Sequence, residues 1–307
     1  MTQQQKAYFA LTLTSVLWGS TWVASKVAVQ HAPGLQVAGI RQLTAGCILV
    51  GWFLWKGEKI PRPVQFKWLL LMALLMFVCS NGLATISLKY ISSGLSSLIA
   101  AMYPLCVVIM EMIFFKNQKI TAYTFAGLFL GIGGIALVLY SHAFHVQPPG
   151  YGIGIVTSVL SMLGWSVATI LIARNKMDMN PYNATGWQML IGSIILLTLS
   201  LSTHNYIPLQ QISARTWLAI AYLVSAGSVI AFAAFIYSMK NLEPAIASLY
   251  AYMNPIVAIL IGAWVVGEHL TIPIIMGSLI TLVGVYIVNR SLHREKEQSP
   301  TTDAEAM

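Results

Sequence analysis

The chain has 307 residues, of which 57% are hydrophobic and only 8% charged, with a mean hydropathy of +0.74; an ordinary soluble domain carries about 25% charged residues. Nine acids and 17 bases cannot cover a soluble globule of this size, and disorder or a coiled coil would need more charge and polar repeats. The class left standing is an integral membrane protein made of helices.

A bilayer-spanning helix needs about 20 mainly apolar residues. In chain order, spans are predicted at Ala7–Gln30, Gly34–Trp55, Phe66–Ser87, Ser92–Phe115, Thr121–Ser141, Tyr151–Ala173, Pro181–Leu201, Trp217–Met239, Pro244–Val266 and Ile272–Asn289. The links are too short for a separate soluble domain. Residues 1–145 and 146–290 read as two five-helix units, and 291–307 as a disordered tail. A membrane β-barrel would alternate apolar and polar residues, whereas Leu69–Val78 and Ile256–Val266 are apolar throughout. The first stretch is too long for a signal-peptide core and has no small-residue cleavage site, so it is expected to remain as a helix.

The basic residues orient the chain. With the N-terminus inside, Lys6, Lys56, Lys59, Arg62, Lys67, Lys116, Lys119, Arg174, Lys176, Lys240, Arg290, Arg294 and Lys296 all fall on the cytoplasmic side, and only Lys89 and Arg215 fall outside. This bias predicts that both termini are cytoplasmic. It also accounts for the net charge of +8 without a basic cluster for nucleic acid. Cys47, Cys79 and Cys106 lie within predicted spans and read as free structural thiols. Neither they nor His31, His142, His145, His204 and His269 show metal-ligand spacing, so no metal or cofactor is expected.

The two halves resemble each other. Lys89-Tyr-Ile-Ser-Ser-Gly-Leu-Ser-Ser-Leu-Ile-Ala-Ala-Met-Tyr-Pro104 aligns without a gap with Lys240-Asn-Leu-Glu-Pro-Ala-Ile-Ala-Ser-Leu-Tyr-Ala-Tyr-Met-Asn-Pro255. Gly127 and Gly134 match Gly277 and Gly284, and Gln42 and Gly46 match Gln188 and Gly192. With five helices per half, the second half must enter the membrane from the opposite side. The predicted fold class is therefore an all-α integral membrane protein of ten transmembrane helices in two inverted-topology repeats. Secondary transporters are commonly built this way, with the substrate site near the midplane between halves.

Trp18-Gly-Ser-Thr-Trp22 followed by Lys26, Pro33 and Arg41, and later Pro255, Gly267-Glu268, Gly277 and Gly284, resemble the repeat pattern of EamA-type members of the drug/metabolite transporter superfamily. The first half departs from it, with Lys116-Asn117 where the second has Gly267-Glu268. The resemblance implies a ten-helix carrier of small metabolites in the cytoplasmic membrane, often an exporter of amino acids or related compounds.

Ionisable groups within spans are costly and default to functional candidates. Lys26 sits ~7 Å from the outer end of the first helix and Arg41 ~10 Å from that of the second, at 1.5 Å per residue. They form an outer-half cationic pair suited to an anionic substrate group; the competing reading is that helix-end carbonyls and Tyr or Gln side chains satisfy them. Glu111 reads either as a proton-coupling carboxylate or as a snorkelling or ion-paired group. The uncharged candidates for the bundle interior are Trp18, Trp22, Gln42, Asn81, Tyr103, Trp165, Trp187, Gln188, Tyr250, Tyr252 and Asn254; interfacial belts and helix stapling are the ordinary alternatives. Trp187 aligns with Arg41, so one half offers a cation where the other offers an aromatic ring. Pro104 and Pro255 are candidate hinges, because a proline within a helix frees a backbone carbonyl.

A membrane enzyme lacks support: there is no His-Glu-x-x-His, no Gly-x-Ser-x-Gly and no intramembrane Asp. A channel would need a charged or carbonyl ring. The sequence reading is thus an alternating-access transporter of a small-molecule substrate in the lipid bilayer, exporting amino acids or amphipathic relatives. The alternative is an importer or exchanger of a sugar or other small anion. Nothing in the sequence sets an oligomeric state.

Overall fold

A computed structural model describes residues 1–115, 121–143, 149–175, 177–242, 246 and 249–298. Lys116, Asn117, Lys119, His145, Lys176, Pro244 and the tail 299–307 lie outside them. Among the described residues there are helices and no strands. The helices are α1 (Gln3–Val29), α2 (Gly34–Trp55), α3 (Pro63–Ser87), α4 (Ser93–Ala100 and Tyr103–Phe115), α5 (Ala122–Ala143), α6 (Tyr151–Arg174), α7 (Pro181–Ser202), α8 (Ala214–Asn241), α9 (Tyr250–Val266) and α10 (Ile272–Gln298). The last helix runs on to Gln298, so 291–298, expected as part of a disordered tail, is helical.

Seven of these, α2 to α8, are long and apolar enough to cross a membrane, while α9 and the apolar part of α10 are shorter. The 27-residue α1 is long enough but less apolar, because it carries Thr14, Ser15, Ser20, Thr21 and Ser25 into the bundle interior. There the hydroxyls of Thr14, Ser15, Ser20 and Thr21 are satisfied by carbonyls or a hydroxyl; Thr14 and Ser15 donate back to Ala10 and Leu11 over 2.8 Å each. The opposite condition holds on the outside of the bundle, where Trp264 and Phe129 are 87% and 81% exposed. Large apolar side chains so exposed are what lipid, rather than water, would solvate.

The sequence pattern did not reveal two irregularities in this framework. The middle of α3 (Ala73–Gly82) and of α8 (Leu223–Ile230) is wound as π-helix, a wide turn that often marks functional regions. Small residues permit the tight helix contacts. In α5 and α10, a Cβ on Gly134 would lie 2.6 Å from the Gly277 carbonyl oxygen, and one on Gly277 the same distance from that of Gly134. Gly127 and Gly284 meet in the same reciprocal way. Backbones this close let van der Waals contact replace the hydrophobic driving force that lipid removes.

Candidate substrate cavity

The bundle holds a partly open cavity of about 160 Å³. Its walls come from α1, α2, α3, α4, α6, α8 and α9. Both family-like halves therefore contribute, and α5, α7 and α10 stay outside as a frame.

Arg41 is the charged residue of this cavity. Its side chain is 6% exposed, and Nε donates to the Ser228 hydroxyl over 2.9 Å. Ser228 is placed by the π-turn of α8, and Gly227 beside it leaves the space the guanidinium occupies: a Cβ there would lie 3.0 Å from an Arg41 terminal nitrogen. Among the described residues no acidic side chain lines the cavity. The guanidinium thus offers hydrogen-bond donors to the cavity without a carboxylate neighbour there, in a setting where a charge-assisted bond to an anion is strong.

Trp18 is the aromatic hub. Its ring centroid lies 6.3 Å from Trp165, 5.0 Å from Phe232, 4.9 Å from Phe235 and 5.3 Å from Tyr250, mostly edge-to-face. Trp18 Nε1 donates to the Gly227 carbonyl at 3.1 Å, so the hub and the guanidinium are held by adjacent residues of one π-turn. The Tyr103 and Tyr250 hydroxyls meet at 3.2 Å. Asn81 lines the cavity and accepts from Gln42 Nε2 at 2.9 Å. The Asn254 amide stands 2.9 Å from the Ser15 carbonyl and 3.1 Å from that of Tyr250, so its nitrogen satisfies both when the amide is oriented toward them.

The two prolines act differently. Pro104 is the second residue of the Tyr103–Phe115 segment of α4, in the first turn after the helix unwinds at Ala101–Met102, where a missing N–H is tolerated. Pro255 is inside α9, and its missing N–H removes the usual partner of the Ala251 carbonyl. Ala101, Ala251 and Asn254 all line the cavity.

Of the residues singled out from sequence, the structure brings Trp18, Trp22, Arg41, Asn81, Tyr103, Trp165, Tyr250 and Asn254 to the cavity wall. Lys26 is not among them. Its Nζ donates to the Leu88 and Ile91 carbonyls at 2.7 and 2.8 Å, so Lys26 and Arg41 do not act as a pair, and helix-end carbonyls satisfy the lysine. Gln42 supports Asn81 from behind. Gln188 is buried away from the lining, and the Trp187 indole nitrogen is buried without a partner. Tyr252 points into a separate core with Leu105 and Val285 and donates to the Val285 carbonyl at 3.2 Å. Glu111 is half-buried and outside the lining. Sequence reading missed Ser228, Gly227, Phe232, Met76 and Phe77. These lie in or next to the π-helical segments, and apolar periodicity gives no sign of a π-turn.

A helical membrane protein with a partly open internal cavity, lined by rings and one buried cation, has the architecture expected of a carrier of small molecules. The chain is a member of the EamA-like transporter family, whose model matches twice, over residues 5–140 and 152–290. It is 27% identical over 264 residues to the uncharacterized inner membrane transporter YedA of Escherichia coli K12, covering 85% of this chain and 83% of that one. It is 29% identical to the uncharacterized transporter sll0355 of Synechocystis (89% and 87% covered). The WAT1-related chloroplastic protein At3g02690 of Arabidopsis thaliana is 27% identical, with 89% of this chain and 66% of that one covered. A protein of known crystal structure shares the fold over 96% of this chain and 99% of its own, with a TM-score of 0.63 at 17% identity. Family and relatives are those of membrane transporters rather than enzymes.

Proposed function

We propose that the protein is a secondary-active transporter that moves small organic metabolites bearing a carboxylate by alternating access. On this reading it sits in the cytoplasmic membrane with both termini inside, and its ten helices form two inverted five-helix halves rocking about the cavity. Export of amino acids or related amphipathic compounds is the first assignment. One observation carries it: Arg41, nearly fully buried, presents its guanidinium to a cavity without an acidic side chain among the described residues. The ring cluster around Trp18 supplies the surface for an apolar group on the same solute. The reciprocal glycine contacts of α5 and α10 support the two-half arrangement, since a two-fold relation makes contacts that read the same from either side.

A second reading keeps the carboxylate and drops the amine. With only uncharged acceptors and ring faces available to an ammonium among the described lining residues, a simple organic anion fits the cavity electrostatics as well as a zwitterion does. Counterflow in proteoliposomes, screened over amino acids, sugars and simple carboxylates with and without a pH gradient, separates the two. Absence of counterflow across the whole panel would falsify the transport reading.

A further inference from the structure

The cavity does not use one polar assembly of the molecule. Glu268 follows Gly267, whose left-handed backbone (φ 71°) ends α9. The chain turns there so that the carboxylate reaches the start of α4. Oε1 accepts from the Ser93 amide at 2.6 Å, and Oε2 accepts from the Ser93 hydroxyl at 2.9 Å and the Gly94 amide at 3.2 Å. Gly262 leaves the room, since a Cβ there would lie 2.6 Å from Oε2 and 2.7 Å from the Ser93 oxygen. Across the same short link, Lys26 Nζ takes the Leu88 and Ile91 carbonyls.

The five-residue link 88–92 between α3 and α4 is therefore gripped at both ends. An anion lies on the amides that open α4, and a cation on the Leu88 carbonyl that closes α3, the signs favoured by helix-end electrostatics, with the Ile91 carbonyl of the link as the cation's second partner. Three elements meet there: α1, the α3–α4 link and the α9–α10 link. The first two belong to one family match and the third to the other. Leu88, the first residue of the link, and Ser97, five residues beyond its end, both line the cavity.

The sequence supplies this grip at one end only. The alignment that pairs Pro104 with Pro255 puts Asn117 at the position of Glu268 and Pro244 at that of Ser93. One has no charge, and the other has neither an amide hydrogen nor a hydroxyl.

We propose that Lys26 and Glu268 are positioning residues of the transport cycle. They clamp the 88–92 link and hold the cavity shut at that end, and the cavity opens there only on release of the clamp. This rests on the alternating-access reading above.

The test uses the full chain in vesicles with Cys47, Cys79 and Cys106 replaced by alanine. Ser97→Cys reports the cavity wall, and Lys89→Cys, exposed on the link itself, reports which membrane face is reached by an impermeant maleimide. Glu268→Gln and Lys26→Met are each expected to raise the labelling rate of Ser97→Cys from the Lys89 face by about tenfold, the weight of one charge-assisted hydrogen bond. Gly262→Ala, which crowds the carboxylate without removing it, is expected to act in the same direction. Lys26→Arg, which keeps donors for both carbonyls, is expected to label near the parent rate. Unchanged rates in all three disruptive variants, with Lys89→Cys still reactive, overturn the clamp; so does a response to Glu268→Gln without one to Lys26→Met. If Glu268→Gln loses its cooperative melt, Gly262→Ala and Ser93→Ala carry the test. Labelling needs no substrate, so a negative counterflow panel leaves the clamp standing, and an unresponsive label leaves the transport reading standing.

Discussion

Arg41 of α2 and Ser228 of α8 meet at 2.9 Å through Nε and the serine hydroxyl, a contact between the two family-matched halves. It fixes the direction of a guanidinium that would otherwise have several rotamers, and leaves the rest of the group's donors for the cavity. Arg41→Gln is expected to raise the KM for a carboxylate substrate by about tenfold or more, the effect of losing a charge-assisted bond. Arg41→Lys is expected to recover only part of this, because an ammonium cannot reproduce the planar fork. Uptake kinetics in proteoliposomes, normalised to inserted protein, measure both.

Trp18 joins rings from α6, α8 and α9. Trp18→Ala is expected to destabilise the protein by about 3–5 kcal/mol, as for other large buried aromatics, and to abolish a sharp melting transition. Trp18→Phe keeps ring contact but loses the bond to the Gly227 carbonyl, with an expected loss of about 1 kcal/mol. The KM should rise in Trp18→Phe while the fold persists, read by melting and uptake on the same preparation.

Tyr250 and Tyr252, two positions apart on α9, separate site from scaffold. Tyr250→Phe removes one of the two hydroxyls that meet in the cavity wall and is expected to alter KM, with non-additive effects when combined with Tyr103→Phe. Tyr252→Phe removes a bond to the Val285 carbonyl in the α9–α10 core. It is expected to lower the melting midpoint and leave KM unchanged.

Neighbouring glycines in α5 give a control for helix contact. Gly134→Ala places a methyl against the Gly277 carbonyl, whereas a Cβ on Gly133 meets nothing within 4 Å. Gly134→Ala is expected to be destabilising by about 1–3 kcal/mol, as for other overpacked sites. Gly133→Ala should be neutral or slightly stabilising, since alanine is the better helix former. Thermal melts in detergent compare the pair directly.

Much of the architecture was legible along the chain. Composition placed the helices in a membrane, because lipid admits only backbones that satisfy their own hydrogen bonds. Runs of about 20 apolar residues marked most helix ends to within a few positions, whereas the last helix runs nine residues past its expected end at Asn289. Trp18, Arg41, Asn81, Tyr103, Trp165 and Asn254 stood out as polar or aromatic groups inside such runs, and all six line the cavity. Tyr252, Gln188 and Trp187 satisfied the same criterion yet face other surroundings. Residue type tells that a buried polar group needs a partner, and not which partner it has.

Those partners came from contacts across tens to hundreds of positions. Lys26 and Arg41, alike in charge and in depth along the sequence, have opposite environments: one faces the carbonyls of the 88–92 link and the other an open cavity. Glu268 looked like a loop residue until the α9–α10 turn brought it to the first turn of α4. The π-turns that aim Ser228 and Asn81 inward are backbone events with no signature in apolar period. Hydrophobicity is a property of each residue and is read locally. Electrostatic pairing depends on distance in space, which only the packed bundle supplies.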